Sequence, residues 1–175
     1  SGVRKDKGQA FRLSGKINFS DLLSFESQYK REDADFHRLQ ERLGTGNTVE
    51  TFSFKTSFYP DKFFPSKWGV NIPLNLNYTT QNSTPKYYPY QPDILTGDFR
   101  DASDDIKSLS KTISLSTSFS KSTRSKNWLI KNTIDKINFN YSIINKLNSS
   151  VTILNDISLN QQVGLSYNYN FSKDN

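Results

Sequence analysis

The chain has 175 residues, of which 34% are hydrophobic, and a net charge of +6; its mean hydropathy is -0.69. That length suffices for one domain or for roughly eight strands at about twenty residues per strand and turn, but an ordinary soluble core draws on a composition nearer to about 45–50% apolar. No stretch approaches the roughly 20 apolar residues of a transmembrane helix, which excludes that class and leaves open a transmembrane β-barrel, whose strands need only about ten alternating residues.

Aromatics carry much of the apolar content, with 13 Phe and 9 Tyr, and there is no Cys. Disulfides, thiolate metal sites and cysteine nucleophiles are thereby excluded. Lys and Arg are scattered with no run, which fits a solvated surface better than an anionic partner. Met is absent, including at position 1, and Gly2-Val3-Arg4-Lys5 leads into no apolar core. A processed product or an internal piece, with targeting information elsewhere, is expected.

Residues 9–31 alternate first. Phe11, Leu13, Gly15, Ile17 and Phe19 share one parity, which Leu23, Phe25, Ser27 and Tyr29 continue beyond Ser20-Asp21. This pattern predicts two strands around a tight turn, or one long bent strand, with one wet face. Residues 32–49 break the alternation and predict a loop. A short helix capped by Asp33 or Asp35, with Phe36, Leu39 and Leu43 on one side and Gly44 closing it, fits there as well as irregular structure does.

A strand over 50–59 follows, with Phe52, Phe54, Thr56 and Phe58 facing one way. Next comes the block that organises the chain. Pro60 and Phe63-Phe64-Pro65 lead to Trp68, and Trp68, Val70, Ile72, Leu74, Leu76 and Tyr78 then fall on every second residue, against Lys67, Asn71, Asn75 and Asn77. This predicts a strand over about 68–80. Pro73 cannot donate a ladder hydrogen bond, so it predicts an edge, a bulge or a position near a rim. Pro85, Pro89 and Pro92 among Tyr87, Tyr88 and Tyr90 make a stiff, extended exit. That exit fits either a surface linker or an ordered loop whose aromatics sit at a membrane interface or a barrel mouth.

Residues 81–107 are expected to be loop. Asp98, Asp101, Asp104 and Asp105 lack the glycine turn and closing Glu of a calcium loop, so solvated loop is expected there. Over 108–122, Leu109, Lys111, Ile113, Leu115, Thr117 and Phe119 oppose Ser110, Ser114, Ser116, Ser118 and Ser120 in the cleanest two-faced strand of the chain. Arg124 to Asn127 reads as a turn and Trp128 to Asp135 as a short helical or irregular connection. Further strands are expected over 136–145 and 161–172, with 145–160 a mixed loop in which Val151, Ile153, Ile157 and Leu159 fit one more strand.

On the wet parity Ser, Asn and Thr dominate where a soluble sheet would carry Lys, Glu and Arg, and the dry parity often ends in an aromatic, as at Tyr29, Phe58, Tyr78, Phe119 and Phe171. Small neutral polar groups suit a hydrated lumen, and the aromatics suit a girdle at the membrane interface. The fold class expected is therefore all-β: antiparallel up-and-down strands of a transmembrane β-barrel, the whole of 1–175 forming one segment of it, with short irregular or helical insertions.

The block itself resembles a known family. Phe63-Phe64-Pro65 with Lys67-Trp68-Gly69, Ile72-Pro73, Thr84-Pro85-Lys86-Tyr87, Pro89 and Pro92-Asp93-Ile94 are similar to a segment of the SprA (Sov) family, the giant outer-membrane translocons of the bacterial type IX secretion system, linked to gliding motility. The stretch Asp33 to Arg42, Asn127-Trp128-Leu129 and Asp135-Lys136-Ile137 resemble it more loosely. The resemblance implies an internal slice of a very large single-chain barrel in the outer membrane, a conduit for folded cargo. It also implies partners: outer-membrane lipid, the remainder of the same barrel, a porin-like shuttle protein, a periplasmic plug and secreted cargo proteins. Nucleic acid is not among them.

Catalytic chemistry is not expected. His37 is single and stands in a polar stretch, Gly44-Thr45-Gly46 is too short for a phosphate loop, and no nucleophile, base, cofactor or metal constellation can be assembled. Phe63, Phe64, Trp68, Tyr87, Tyr88 and Tyr90 are the residues expected to be ordered and structurally critical. Two other classes fit the residues: a small stand-alone outer-membrane porin or adhesin barrel, and a soluble β-domain binding carbohydrate or single-stranded nucleic acid through Lys and exposed aromatics.

Overall fold

The computed structural model describes residues 8–37, 44–97 and 106–168. Within them the alternating stretches become strands: β1 (Ala10–Phe19), β2 (Leu23–Glu32), β3 (Asn47–Phe58), β4 (Val70–Asn71), β5 (Leu74–Pro85), β6 (Tyr87–Tyr88), β7 (Gln91–Leu95), β8 (Ser108–Lys121), β9 (Ile137–Ser149) and β10 (Asp156–Tyr167). A short helix, α1 (Trp128–Asn132), lies between β8 and β9. The main sheet runs β1-β2-β3-β5-β8-β9-β10 with β4 paired to β8, while β6 and β7 form a separate hairpin. All pairings are antiparallel.

Register aligns the two parities across the whole sheet. Ile17 pairs Phe25, Phe25 pairs Thr56, Thr56 pairs Leu76, Leu76 pairs Leu115, Leu115 pairs Ile143 and Ile143 pairs Gln161. Directly opposed residues share a face, so this row and its neighbours two residues away build one dry face. The opposite face carries rows such as Ser57, Asn75, Ser116 and Ser142.

The sheet is a single, open layer. Ala34 and Ile106 are the buried hydrophobic residues among those described, and no large side chain is fully buried. Apolar groups such as Leu13, Ile17, Leu159 and Leu165 stay exposed. Covering each such side chain would contribute roughly 1.5–3 kcal/mol, so a second surface has to lie against this face.

Several boundaries differ from the sequence reading. The 9–31 stretch is two strands, turned at Ser20, whose φ of 51° lies in the left-handed region. Trp68 is not the start of a strand: it closes a 3-10 turn (Ser66–Trp68), and Gly69 at φ 60° stops that turn in the left-handed conformation. The ladder begins at Val70 and breaks at Pro73, whose carbonyl still accepts from the Ser118 N–H at 3.3 Å. Pro73 thus sits near a rim, and β5 then runs to Pro85, so that 81–85 is strand and not loop.

The 81–107 loop also holds the β6–β7 hairpin. Residues 145–160 are mostly strand, since β9 reaches Ser149 and β10 starts at Asp156, leaving a turn of 150–155. The helix expected to begin near Asp33 is a turn through Phe36, whose N–H donates to the Asp33 carbonyl at 2.9 Å; Leu39 and Leu43 lie outside the described residues. So do Asp98, Asp101, Asp104, Asp105 and Phe171.

Candidate functional site

Two faces and two rims define what the sheet can do. One rim gathers the 20–22 turn and the connections 59–73 and 122–136; the other gathers, among the described residues, 33–37, 44–46, 86–97, 106–107 and the 150–155 turn. The expected aromatic block is divided between them. Phe63, Phe64 and Trp68 stand at the first rim, Tyr87, Tyr88 and Tyr90 at the second, and β5 separates the two groups by roughly 40 Å at ~3.3 Å per residue. Phe64 stacks on Trp68 with ring centroids 5.8 Å apart, and Phe63 lies 6.3 Å from Phe58. Tyr90 is 83% exposed.

The girdle expected at strand ends is also redistributed. Phe58 and Phe119 are at the first rim and Tyr29 near the second, but Tyr78 is mid-strand, between Phe54 and Ile113. A fuller belt forms at the first rim. There Phe19, Phe58, Phe119, Phe139 and Tyr141 end the dry rows, and Trp128 on α1 adds a ring that is 71% exposed.

The dry parity of β8 runs from Leu109 to Phe119, roughly 33 Å at ~3.3 Å per residue. Tilted by the ~40° usual for barrel strands, it spans about 25 Å, the height of the lipid-facing band in outer-membrane barrels. Lys111 interrupts it near the second rim, and its ammonium folds over the Tyr78 ring, 5.5 Å from the centroid.

The wet face is mostly neutral over β5, β8, β9 and β10, its charges there being Lys146 and Asp156 towards the second rim, and hydroxyls and amides pair across strands. Ser57 Oγ donates to Asn75 Oδ1 at 2.7 Å, Asn77 Nδ2 to Ser114 Oγ at 3.3 Å and Ser110 Oγ to Asn148 Oδ1 at 2.8 Å. Charge is concentrated on β1–β3, where Lys16, Glu26 and Lys55 share one row. The Ser, Asn and Thr dominance read from the sequence therefore holds for one half of the sheet more than for the other.

The first rim is built by contacts that the sequence did not suggest. Asp61 Oδ1 accepts from the Ile72 N–H at 3.1 Å and fastens the 59–73 connection. The Thr123 hydroxyl donates to the Trp68 carbonyl at 2.6 Å, and the Ser122 N–H donates to the Gly69 carbonyl at 2.8 Å. Behind them Lys121 and Asp135 form an ion pair with 9% and 4% of their side chains exposed, and Ser125 donates both its N–H and its hydroxyl to Asp135. Burial pushes the Asp135 carboxyl up, but Lys121 and the two Ser125 donors outweigh it and hold the group below its ordinary value. Asp135 and Lys121 are too far apart in sequence for any local pattern to have paired them. Gly69 directly after Trp68 was the one signal available.

At the second rim Lys86 pairs with Asp35 at 2.6 Å and Arg31 with Asp33 at 3.3 Å. The Thr96 hydroxyl donates to the Pro85 carbonyl at 2.7 Å, closing the β6–β7 hairpin onto the end of β5. His37 Nδ1 lies 3.2 Å from the Asp35 carbonyl, which accepts from it in the tautomer protonated at Nδ1. No cluster of metal-ligating side chains occurs among the described residues.

The described residues thus form an open antiparallel sheet with one mainly apolar face, one hydrated face and two outer strands that each have a single neighbour among those residues. The comparison with protein families agrees in kind: SprA_N, described as motility related/secretion protein, matches residues 2–99. The chain belongs to that family. The match covers β1 to β7, and the family resemblance seen in the 59–94 block falls inside it. No curated protein matches the chain.

Proposed function

We propose that this chain is a stretch of the wall of a large outer-membrane barrel, the protein-conducting translocon of type IX secretion, which exports folded cargo and serves gliding motility. The carrying observation is the pairing of a dry face about as tall as a membrane with a face that is lined mainly by hydroxyls and amides over β5, β8, β9 and β10, in one unclosed sheet. Lipid covers the first face, water and passing cargo meet the second, and neighbouring strands of the same barrel complete β1 and β10. Over the middle of β5, β8, β9 and β10 small neutral groups offer a moving protein surface little fixed charge to hold it. The porin-like shuttle and the periplasmic plug belong to the assembly without residues assigned to them here. No catalysis is required of this segment.

Strand direction argues against a small barrel closed by these strands alone. Six antiparallel steps separate β1 from β10, so the two run the same way, whereas barrels of this kind in bacteria close with even numbers of antiparallel strands. A soluble domain would need a further layer over the dry face.

Because the chain has no Cys, single cysteines report its faces without background from the segment itself. In the full-length protein in native membranes, Ser114→Cys and Ser116→Cys are expected to react with an impermeant maleimide, and Ile113→Cys and Leu115→Cys to be protected. With export stalled, a cross-linker on Ser114→Cys is expected to capture secreted cargo. Equal labelling of both parities would remove the membrane wall; protection without cargo capture would leave a wall that conducts nothing.

A further inference from the structure

At the first rim the dry face opens into a cleft of about 790 Å³, with Phe64, Trp68, Ile72, Phe119, Ile130 and Ile134 on its walls. Its mouth carries Lys67, Arg124 and Lys126, all exposed and none ion-paired among the described residues. The fourth cation of the lining, Lys121, is already ion-paired with Asp135. We propose that this cleft binds an anionic phospholipid, with an acyl chain along the aromatic and isoleucine walls and the phosphate held by Lys67, Arg124 and Lys126. The inference rests on the membrane reading given above.

Charge and position both select this occupant. The three connections of this rim hold Lys62, Lys67, Arg124, Lys126, Lys131 and Lys136 against Asp21, Asp61 and Asp135, an excess of cations that favours a phosphate. Two Trp side chains and the belt of Phe and Tyr fix the same level as the headgroup zone, where such rings settle. A cationic ring just beyond an apolar slot matches a lipid that is anionic at one end and apolar at the other. The second-rim cleft offers a contrast, since its Arg31 and Lys86 are engaged by Asp33 and Asp35.

The connections that shape the cleft are tied down. Gly69 at φ 60° brings Trp68 against Thr123, where any Cβ would meet the Thr123 side chain at 2.6 Å. Asn127 caps α1 by accepting from the Leu129 N–H at 3.0 Å, and the Tyr167 hydroxyl donates to the Asn132 carbonyl at 2.6 Å. The slot is thus formed before a lipid enters it.

The test uses the full-length protein in nanodiscs of phosphatidylethanolamine containing a photoreactive-chain phosphatidylglycerol or, in a parallel arm, photoreactive-chain phosphatidylcholine, with adducts mapped by mass spectrometry. Phosphatidylglycerol adducts are expected to concentrate on the peptides carrying Trp68 and Ile130. The exposed triple variant K67Q/R124Q/K126Q is expected to lower them roughly a hundredfold, at about 1 kcal/mol per cation removed, while adducts on the strand peptides carrying Leu115 and Ile143 persist. Equal labelling of the cleft by both lipids, or labelling that survives the triple variant, overturns the site and leaves the membrane reading standing. Absence of adducts at Leu115 and Ile143 with either lipid overturns that reading and the site with it. Displacement by excess inorganic phosphate would mark a free-anion site and likewise overturn the proposal.

Discussion

Asp135 lies in the connection between β8 and β9, outside the strands, and its carboxyl is where the first rim is most sensitive to pH. Its acidity is raised in the fold: burial opposes ionisation, but the Lys121 ammonium and the Ser125 N–H and hydroxyl favour it by more. A folded value below the unfolded one, about 3.9 for Asp, means that the contribution is fully present above that pH and is lost as pH falls through the folded value. Asp135→Asn removes the charge and leaves Lys121 without its counterion. The expected cost is roughly 2 kcal/mol, below the range for a fully buried pair because no second layer lies behind the rim. Protease protection of the 122–136 connection in the full-length protein is the readout: weakening in the native chain as pH falls below about 3.9 and lost once it has passed through the lower folded value, and already reduced and flat with pH in Asp135→Asn. An unchanged pH profile in the variant would show that the pair does not hold the rim. At this scale the sequence was partly legible. Pro73 announced an edge, a bulge or a rim through its missing N–H, and lies near a rim, whereas Trp68 obeyed the strand parity and was still excluded from the ladder by the left-handed turn at Gly69.

Strands were legible where alternation was unbroken, and β8 is the clearest case. Its Ser parity and its Leu109, Ile113, Leu115 and Phe119 parity assign a face to every residue before any pairing is known. β9 shows how that legibility ends. Ile143 and Ile144 are adjacent, Asn145 takes the dry parity and Lys146 follows, so the period fails and the stretch reads as loop. Main-chain pairing to β8 nevertheless continues through Leu109 and Ser149, because a ladder already zipped on both sides fixes the backbone whatever its side chains alternate. The two faces predict unequal tolerance to one substitution. Leu115→Arg puts a cation at mid-height on the dry face and is expected to cost about 2–4 kcal/mol if lipid lies there; Ser114→Arg next to it points to water and is expected to cost little. Folded yield in the outer membrane, read as protease-resistant protein, should fall sharply for the first and hardly for the second. Equal losses would mean that lipid does not cover the dry face.

For the whole molecule the decisive quantity is the state of the two outer edges. Among the described residues β1 and β10 each have one neighbour in the sheet, which leaves a row of N–H and C=O groups on the other side to be paired. In a bilayer each such group left unpaired costs several kcal/mol, far more than the dry-face contacts of one strand could offset. Joining β1 directly to β10 would need a parallel pair between strands that lie at opposite ends of an open meander. Neighbouring strands are the cheaper solution, and in the excised chain the nearest substitute is the edge of a second copy. Alone in detergent, the 175-residue chain is therefore expected to self-associate and to exchange the outward amides of β1 and β10 fast, while those of β5 and β8 exchange slowly. In the full-length protein the same edge amides should be as slow as the central ones. A monodisperse excised monomer with slow edge amides would mean that these strands close by themselves, and the wall of a larger conduit would give way to a small barrel.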